Sequence, residues 1–152
     1  MKGLFFSIIM ACLLITNAYA QNTTIKQELS ADSAAIKKTA LDYVEGFFNG
    51  DSKRISEAVH PELVKRIVSI DTSGTAIQDM GASLLMLAAR KHKKADPDPS
   101  VPFKADVIIY DIFNDIATIK IVTNKFKFID YAQLAKIDGA WKIINVLWAF
   151  NK

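Results

Sequence analysis

The chain has 152 residues, of which 51% are apolar, with a formal net charge of +3 and a single cysteine. This length corresponds to one average domain, which can bury enough apolar surface to fold without disulfides or metal ions. Basic and acidic residues are nearly balanced, so the composition does not indicate a polyanionic partner. We expect no binding to nucleic acid.

The first twenty residues have the pattern of a secretory signal. Lys2 provides a positive charge, residues 4–15 are almost wholly apolar, and Ala18-Tyr19-Ala20 places small residues where a signal peptidase reads them. The apolar run is too short for a membrane span, which needs about 20 residues. We therefore predict that residues 1–20 are cleaved and that the protein is exported, to the bacterial periplasm or the medium, without membrane attachment.

Cleavage would leave a chain without cysteine, because Cys12 lies in the predicted signal. Residues 9–12 also loosely resemble a lipobox, which leaves lipid attachment at Cys12 as an alternative. The remaining chain has two histidines distant from each other in sequence and no thiol. We therefore expect no metal site and no cofactor.

A first helix is predicted after a flexible polar segment at residues 21–31. Asp32 or Ser33 can cap its start, and Asn49-Gly50 can end it because both residues tolerate the left-handed conformation. The apolar residues that recur at helical spacing between these ends are Ile36, Ala40, Tyr43, Val44 and Phe47.

Two further helices are predicted before a proline-rich connector. The second begins at Asp51 or Ser52 and is interrupted at His60-Pro61, since a residue before proline leaves the helical region. Residues 62–70 fit either a strand or a helical turn. Thr75-Ala76-Ile77-Gln78 matches a capping box and predicts a third helix. Its apolar stripe would be Ile77, Met80, Leu84, Leu87 and Ala88.

The period of the apolar residues changes to two after residue 102, which predicts strands. Asn114-Asp115 and Asp138-Gly139 are predicted tight turns between them. The predicted strands cover residues 103–112, 116–125, 126–137 and 140–150. Helices followed by an antiparallel meander indicate an α+β fold with the helices on one sheet face. The other face would need either cover from this chain or a partner.

Three segments carry a resemblance to a known family. They are LDYVEGFFNGD at 41–51, VHPE at 59–62 and FIDYAQLAKIDGAWKIIN at 128–145. They resemble the NTF2-like superfamily of ketosteroid isomerase and nuclear transport factor 2. Within it, the chain is most similar to the "putative lumazine-binding", SnoaL-like family of small bacterial proteins. The likeness extends over most of residues 34–150.

The resemblance implies a cone-shaped, cystatin-like domain over residues 32–152. Three N-terminal helices would pack on a curved antiparallel sheet and leave a cavity at the open end, where ligands and catalytic groups of the family lie. The resemblance also implies a homodimer through the outer sheet face. It implies no single activity, because the superfamily includes isomerases, dehydratases, binding modules and adaptors.

Acid–base candidates are few. His60 matches a family position near the cavity and could serve as acid or base, or its ring could simply satisfy nearby backbone. Carboxylates on or beside strands, at Asp106, Asp111 and Asp130, could act as a general base if they face inward. Tyrosines 43, 110 and 131 are possible donors. The catalytic candidates are therefore His60, Asp106 and Tyr110.

The resemblance also implies a ligand-binding cavity. Residues that could line it are Tyr43, Phe47, His60, Met80, Leu84, Tyr110 and Asn145. Asn145 is polar in an apolar row of the last strand, so it could face the cavity or be a satisfied core amide.

Three functions remain open at this point. The first is a module that binds a small apolar or heteroaromatic molecule without a cofactor. The second is an isomerase or dehydratase that uses His60 or an inward aspartate. The third is a dimeric accessory protein whose working surface is the outer sheet face. We favour the first, because the sequence contains no catalytic signature motif.

Overall fold

A computed structural model describes residues 2–72, 74–92 and 98–150, with side chains described from Lys26 onward, except at Asp71. The chain divides into two compact units, Met1–Ala34 and Ala35–Lys152. In the described part of the first unit the backbone is helical. The second unit contains the sheet, the core and the cavity described below.

The first helix, α1, spans Lys2–Asn49. The predicted start at Asp32 or Ser33 is therefore wrong for the uncleaved chain, and residues 21–31, expected to be flexible, are helical. The reason is that the chain has no glycine or proline between Gly3 and Gly46, so nothing interrupts the helix. Cleavage of residues 1–20 stays a prediction.

The end of α1 and the start of α2 (Ser52–Ala58) agree with the predicted caps. Gly50 has a φ of 68°, and the Asp51 amide donates to the Gly46 carbonyl at 2.8 Å. The Asp51 side chain accepts from the Arg54 amide. Gly46 is required because a Cβ there would lie 3.0 Å from the Cγ1 atom of Ile55, so α2 packs directly against it.

Strands β1 (Val59–Asp71) and β2 (Gly74–Gly81) form a hairpin where a third helix was predicted to begin. The Thr75–Gln78 capping box is thus inside a strand, and Ile77 is largely exposed. Pairing with β1 outweighs the local helix signal because it satisfies the backbone of β2 over eight residues. Residues 62–70, for which the sequence allowed either a strand or a helical turn, belong to strand β1.

Helix α3 (Ala82–His92) consequently begins later and presents a different face from the predicted one. Its buried residues are Ala82, Leu85 and Ala89, whereas Leu84 and Leu87 are exposed. The prediction began this helix at the Thr75 capping box, seven residues too early. It therefore assigned the wrong residues to the buried face of the helix.

The four C-terminal strands confirm the predicted meander. They are β3 (Ala105–Phe113), β4 (Ile116–Thr123), β5 (Phe128–Ile137) and β6 (Ala140–Phe150). The turns also agree, since Asn114, Asp138 and Gly139 all have positive φ.

The sheet has six strands in the order β2-β1-β6-β5-β4-β3. It is mixed and not wholly antiparallel as predicted, because β1 runs parallel to β6. Register shifts interrupt the β1–β6, β3–β4 and β5–β6 pairs. Such bulges bend strands, which gives the sheet its curvature.

The helices cover one face of this sheet, which we call the inner face. Its core includes Ile36, Ala40 and Val44 of α1, Ile55 of α2, Leu85 of α3, and Ile119, Leu134, Ile143 and Val146 of the sheet. The α+β architecture with helices on a single sheet face is therefore confirmed.

Candidate ligand-binding site

A cavity of about 100 Å³ lies between the inner face and the helices, with one side open to solvent. Its aliphatic wall consists of Val44, Met80 and Leu85. Its aromatic wall consists of Phe47, Phe126, Phe128 and Trp148. The remaining lining residues are Tyr43, Lys65 and Asp130, which bring two opposite charges into an otherwise apolar space.

Three different elements supply these polar side chains. Lys65 follows Leu63 and precedes Ile67 on the inward positions of β1, so strand alternation directs it to the core. Asp130 is inward on β5 for the same reason, and Tyr43 belongs to the buried stripe of α1. Their exposed fractions are 5%, 1% and 2%, respectively.

The three side chains form one closed hydrogen-bond network. Lys65 Nζ lies 2.5 Å from Asp130 Oδ1 and donates to the Tyr43 hydroxyl at 2.8 Å. The Tyr43 hydroxyl donates to Asp130 Oδ2 at 2.9 Å. Both carboxylate oxygens are therefore satisfied, as burial of a charge requires.

Burial shifts the ionisation of two of these groups. The pKa of Tyr43 is raised well above its ordinary value, first by desolvation and then by the charge of Asp130. The phenol is therefore a neutral donor. Desolvation lowers the pKa of Lys65 below its ordinary value, although Asp130 opposes this shift.

Aromatic rings surround the ammonium of Lys65. Its nitrogen lies 5.1 Å from the ring centre of Trp148, 5.2 Å from that of Phe128 and 5.5 Å from that of Tyr43. These distances are within the range of cation–π attraction. A charged group can thus be held in this apolar space by one carboxylate, one hydroxyl and three ring faces.

The rim of the cavity is a cluster of stacked rings. Phe126 lies parallel to Phe128 with ring centres 4.8 Å apart, and edge-on to Phe47 at 5.5 Å. His92, the last residue of α3, stacks on Phe47 at 5.2 Å. Phe126 belongs to the β4–β5 connection, so the rim is formed partly by residues outside regular structure.

Three of the seven predicted lining residues meet at this cavity, namely Tyr43, Phe47 and Met80. Leu84 is about half exposed, and its neighbour Leu85 occupies the inward position. This follows from the late start of α3 described above.

The other predicted residues lie elsewhere. His60 is not among the lining residues, and its Nδ1 accepts from the Glu62 amide at 3.2 Å. Asp106 is exposed on β3. Tyr110 is also exposed and stacks on Tyr131 at 6.3 Å.

Asn145 does not face the cavity either. It is directly opposite Gln133 across the β5–β6 pair and donates to the Oε1 atom of that residue at 3.0 Å. Both residues lie on the sheet face opposite the helices, which we call the outer face. Neither of the two predicted placements for Asn145 is therefore correct.

Sequence reasoning missed Lys65 and did not single out Asp130 from the other strand carboxylates. The available signal for Lys65 was the alternation Leu63, Lys65, Ile67 on one strand face. It was not used because residues 62–70 could not be assigned to a strand. Only the pairing of β1 with β2 and β6 makes that alternation meaningful.

A second, more open groove of about 240 Å³ lies along β3 to β6. Its polar lining consists of Asp111, Thr118 and Gln133, and Asp111 and Gln133 are exposed to solvent. The smaller cavity is the stronger candidate, because its charged groups are buried and oriented by one another.

Within residues 2–72, 74–92 and 98–150, no cluster of histidine, cysteine or carboxylate side chains is suited to a metal ion. In the same part of the chain, no helix is both long and apolar enough to cross a membrane.

Comparison with known proteins identifies the family and the fold. Residues 31–149 match the family described as "Putative lumazine-binding". An NTF2-like protein of unknown function from Silicibacter pomeroyi superimposes with a TM-score of 0.65 at 14% identity, covering 80% of this chain and 98% of that one. Another from Shewanella baltica gives a TM-score of 0.62 at 21% identity, covering 79% and 94%.

A protein named as a putative scytalone dehydratase, from Novosphingobium aromaticivorans, gives a TM-score of 0.57 at 12% identity and covers 84% of this chain and 89% of its own. No match was found among curated proteins. Identities this low establish the fold alone. The family match covers most of the chain, and together with these structures it shows that the chain belongs to the "putative lumazine-binding" family and has the NTF2-like fold that the sequence resemblance predicted.

Proposed function

We propose that this protein is an exported module that binds a small, flat, mostly apolar molecule in the inner cavity. The observation that carries the proposal is the buried Tyr43–Lys65–Asp130 network at the wall of a partly open apolar space. Binding sites commonly combine apolar walls with a few convergent polar groups. A purely structural core gains little from a buried ion pair, which apolar residues can replace at no loss of stability.

The size of the cavity limits the ligand. Its volume of about 100 Å³ is below the range of roughly 300–1,000 Å³ for drug-sized ligands. An engineered cavity of about 150 Å³ holds benzene. The enclosed space is smaller than that cavity, so one planar ring would fill it and protrude toward the open side, and a bicyclic heteroaromatic molecule would protrude further.

The first experiment is native mass spectrometry of the protein purified from its own host, which reports bound ligand and oligomeric state together. We expect a small molecule that is lost on Leu85→Trp, because the larger side chain would fill the cavity. Leu84→Trp, one residue away on the exposed face of α3, is the matched control. A protein that is empty under all conditions, and shows no melting shift with lumazine or other ring compounds, would contradict the proposal.

An isomerase or dehydratase activity is the second candidate, and the same network favours it. Asp130 and Tyr43 are an inward carboxylate and a neutral hydroxyl donor within hydrogen-bond reach of each other, a pair that could move a proton next to a carbonyl. The test is incorporation of deuterium at the carbon next to a ketone in D2O. Loss of exchange in Asp130→Asn with retained ketone binding would support an enzyme, and absence of exchange in the native protein would exclude this reaction.

Export and dimerisation complete the proposal. Export predicts that the protein isolated from the periplasm or medium begins at Gln21, which N-terminal sequencing would check.

Dimerisation is supported by apolar side chains that are about half exposed on the outer face, among them Ile108, Tyr110, Tyr131 and Leu147. Such a patch is typical of a contact surface. Tyr131→Glu should give monomers in sedimentation experiments, whereas a monomeric native protein would contradict this part.

A further inference from the structure

We propose that the ligand of the inner cavity is electrically neutral and presents a carbonyl-type oxygen, or an equivalent ring nitrogen, to Lys65 Nζ. The inference rests on the proposed function and adds the chemical class of the ligand. It depends on three properties of the cavity, which are the hydrogen bonds still open at Lys65, the local charge balance and the ring faces.

The first property is the hydrogen-bond capacity of the ammonium. A lysine ammonium has three N–H donors. Asp130 and Tyr43 each accept one from Lys65. The described residues provide aromatic faces near the third, at 5.1–5.5 Å, but no further oxygen or nitrogen acceptor. The tyrosine proton is already donated to Asp130, so Lys65 is the member of the network with a donor left for a ligand.

The second property is charge balance. Lys65 and Asp130 neutralise each other at 2.5 Å, with both side chains almost fully buried. An anionic ligand would compete with Asp130 for the ammonium and leave one uncompensated negative charge in an apolar space, which is costly. A cationic ligand would be repelled by Lys65 and would find both carboxylate oxygens engaged. A neutral acceptor meets neither penalty.

The third property is the shape of the walls. Phe128 and Trp148 surround the ammonium, so an acceptor that reaches Nζ brings its attached ring against their faces. Met80 and Leu85 provide flexible and aliphatic parts of the lining. Aromatic faces and aliphatic edges favour a planar ring. The ligand class is therefore a neutral ring carbonyl or carbonyl-like heterocycle.

Three planar probes of nearly the same shape test this inference. Acetophenone carries a neutral carbonyl, α-methylstyrene replaces its oxygen with an apolar CH2 group, and benzoate carries a charge. We expect calorimetry or ligand-observed NMR to show acetophenone binding on the order of tenfold or more tightly than α-methylstyrene, because a hydrogen bond to a charged donor is gained. Benzoate should bind more weakly than either.

The variant that tests the role of Lys65 is Lys65→Met combined with Asp130→Leu and Tyr43→Phe. It removes both charges, and also the Tyr43 hydroxyl, whose proton would be free to donate to a ligand once Asp130 is gone. In this variant acetophenone and α-methylstyrene should bind with equal affinity. Arg66→Met is the matched control, because Arg66 is adjacent on β1 but pairs with Asp79 on the outer face. It should keep the native preference.

A measurement on the native protein tests the inference even if the triple variant does not fold. The carbonyl ¹³C resonance of labelled acetophenone should move downfield on binding, as it does when the oxygen accepts a hydrogen bond. Equal binding of acetophenone and α-methylstyrene without this shift would overturn the inference while leaving an apolar binding site in place. Preferential binding of benzoate would also overturn it. Failure of every probe to bind would count against the proposed function itself.

Discussion

Asp130 and Tyr131 are neighbours in β5 with opposite environments, since the carboxylate is 1% exposed and the aromatic side chain is 45% exposed. Their polarities alone would predict the reverse. Successive side chains of a strand point to opposite faces, so the layer on each face decides their surroundings. On the inner face Lys65 and Tyr43 make burial of Asp130 possible. On the outer face no layer formed by the described residues covers Tyr131, which contacts Tyr110 and Lys120.

This difference separates two kinds of evidence for function. A buried charge is informative because it is stable only with specific partners, and here those partners lie at a cavity. An exposed ring on a sheet is informative as part of a patch, and here the patch continues from β3 to β6. The first points to a small molecule and the second to another protein surface.

The largest expected effect comes from Asp130→Leu, which would leave the Lys65 ammonium buried without its counter-ion. We expect a loss of about 3–5 kcal/mol in the free energy of unfolding. Gln133→Leu, on the outer face of the same strand, should change it by less than about 0.5 kcal/mol. Chemical denaturation would measure both. The double change Lys65→Met with Asp130→Leu should recover most of the loss, and a failure to recover would show that the ion pair itself stabilises the fold.

The next effect compares two isoleucines of β4. Ile119 is fully buried and Ile116 is 57% exposed. Ile119→Ala should cost about 2–5 kcal/mol, because it removes buried methyl groups and leaves a cavity. Ile116→Ala should be close to neutral. Equal losses in thermal or denaturant unfolding would mean that the outer face is covered as well, for example in a dimer.

A smaller effect is expected for Tyr43→Phe, which removes one donor to Asp130 and should cost about 1–3 kcal/mol. The pKa of Tyr43 is raised above the unfolded value of 10.0, so its contribution to stability is lost as pH rises through the alkaline range above 10. The pKa of Lys65 is lowered, so its contribution increases with pH until the unfolded lysine titrates near 10.5.

Comparison of native protein and Tyr43→Phe at each pH isolates the tyrosine contribution. The difference in their free energies of unfolding should shrink above pH 10, because the phenol that ionises in the unfolded native chain is absent from the variant. Tyr131→Phe on the outer face serves as the control and should follow the native curve. If the free energies of unfolding of native protein and Tyr43→Phe differ by the same amount at pH 8 and pH 11, the raised pKa of Tyr43 is not what stabilises the fold.

The smallest effect concerns Asp42, a carboxylate that is 17% exposed and pairs with the more exposed Lys38 and Arg54. Burial alone would raise the pKa of Asp42, but hydrogen bonds and charges of Lys38 and Arg54 hold it below its ordinary value. Its stabilisation is therefore present above the unfolded value of 3.8 and lost as pH falls through the lower folded pKa. Asp42→Asn should cost about 1 kcal/mol at neutral pH, because its partners Lys38 and Arg54 are 77% and 32% exposed and water screens their charges. A loss as large as that of Asp130→Leu would show that solvent exposure of the ion pair does not set the size of the stability loss.

Local patterns predicted most of the elements correctly. The caps at Asn49-Gly50 and Asp51, the four C-terminal strands and the Asp138-Gly139 turn follow from short-range rules that depend on neighbouring residues only. The third helix was misplaced because residues 75–78 match a capping box, although residues 74–81 pair with β1 as a strand. Whether residues 74–81 form a helix or a strand is decided by their pairing with β1, which the local sequence does not reveal.

The candidate site was predicted less completely for a related reason. Tyr43, Phe47 and Met80 line one cavity, whereas the other predicted residues, His60, Leu84, Tyr110 and Asn145, are not among its lining residues. Lys65 and Asp130 are 65 positions apart and lie on strands that are not neighbours, since β6 separates β1 from β5. No spacing rule connects residues at that separation.

The sequence by itself determined the family, the α+β class and the turns, because each depends on a contiguous motif or a short period. The tertiary structure decided which strand faces are covered, that β1 runs parallel to β6, and that a lysine, an aspartate and a tyrosine share one buried network. The physical reason is that burial and charge pairing depend on the layer that packs against a side chain, and that layer comes from distant parts of the chain.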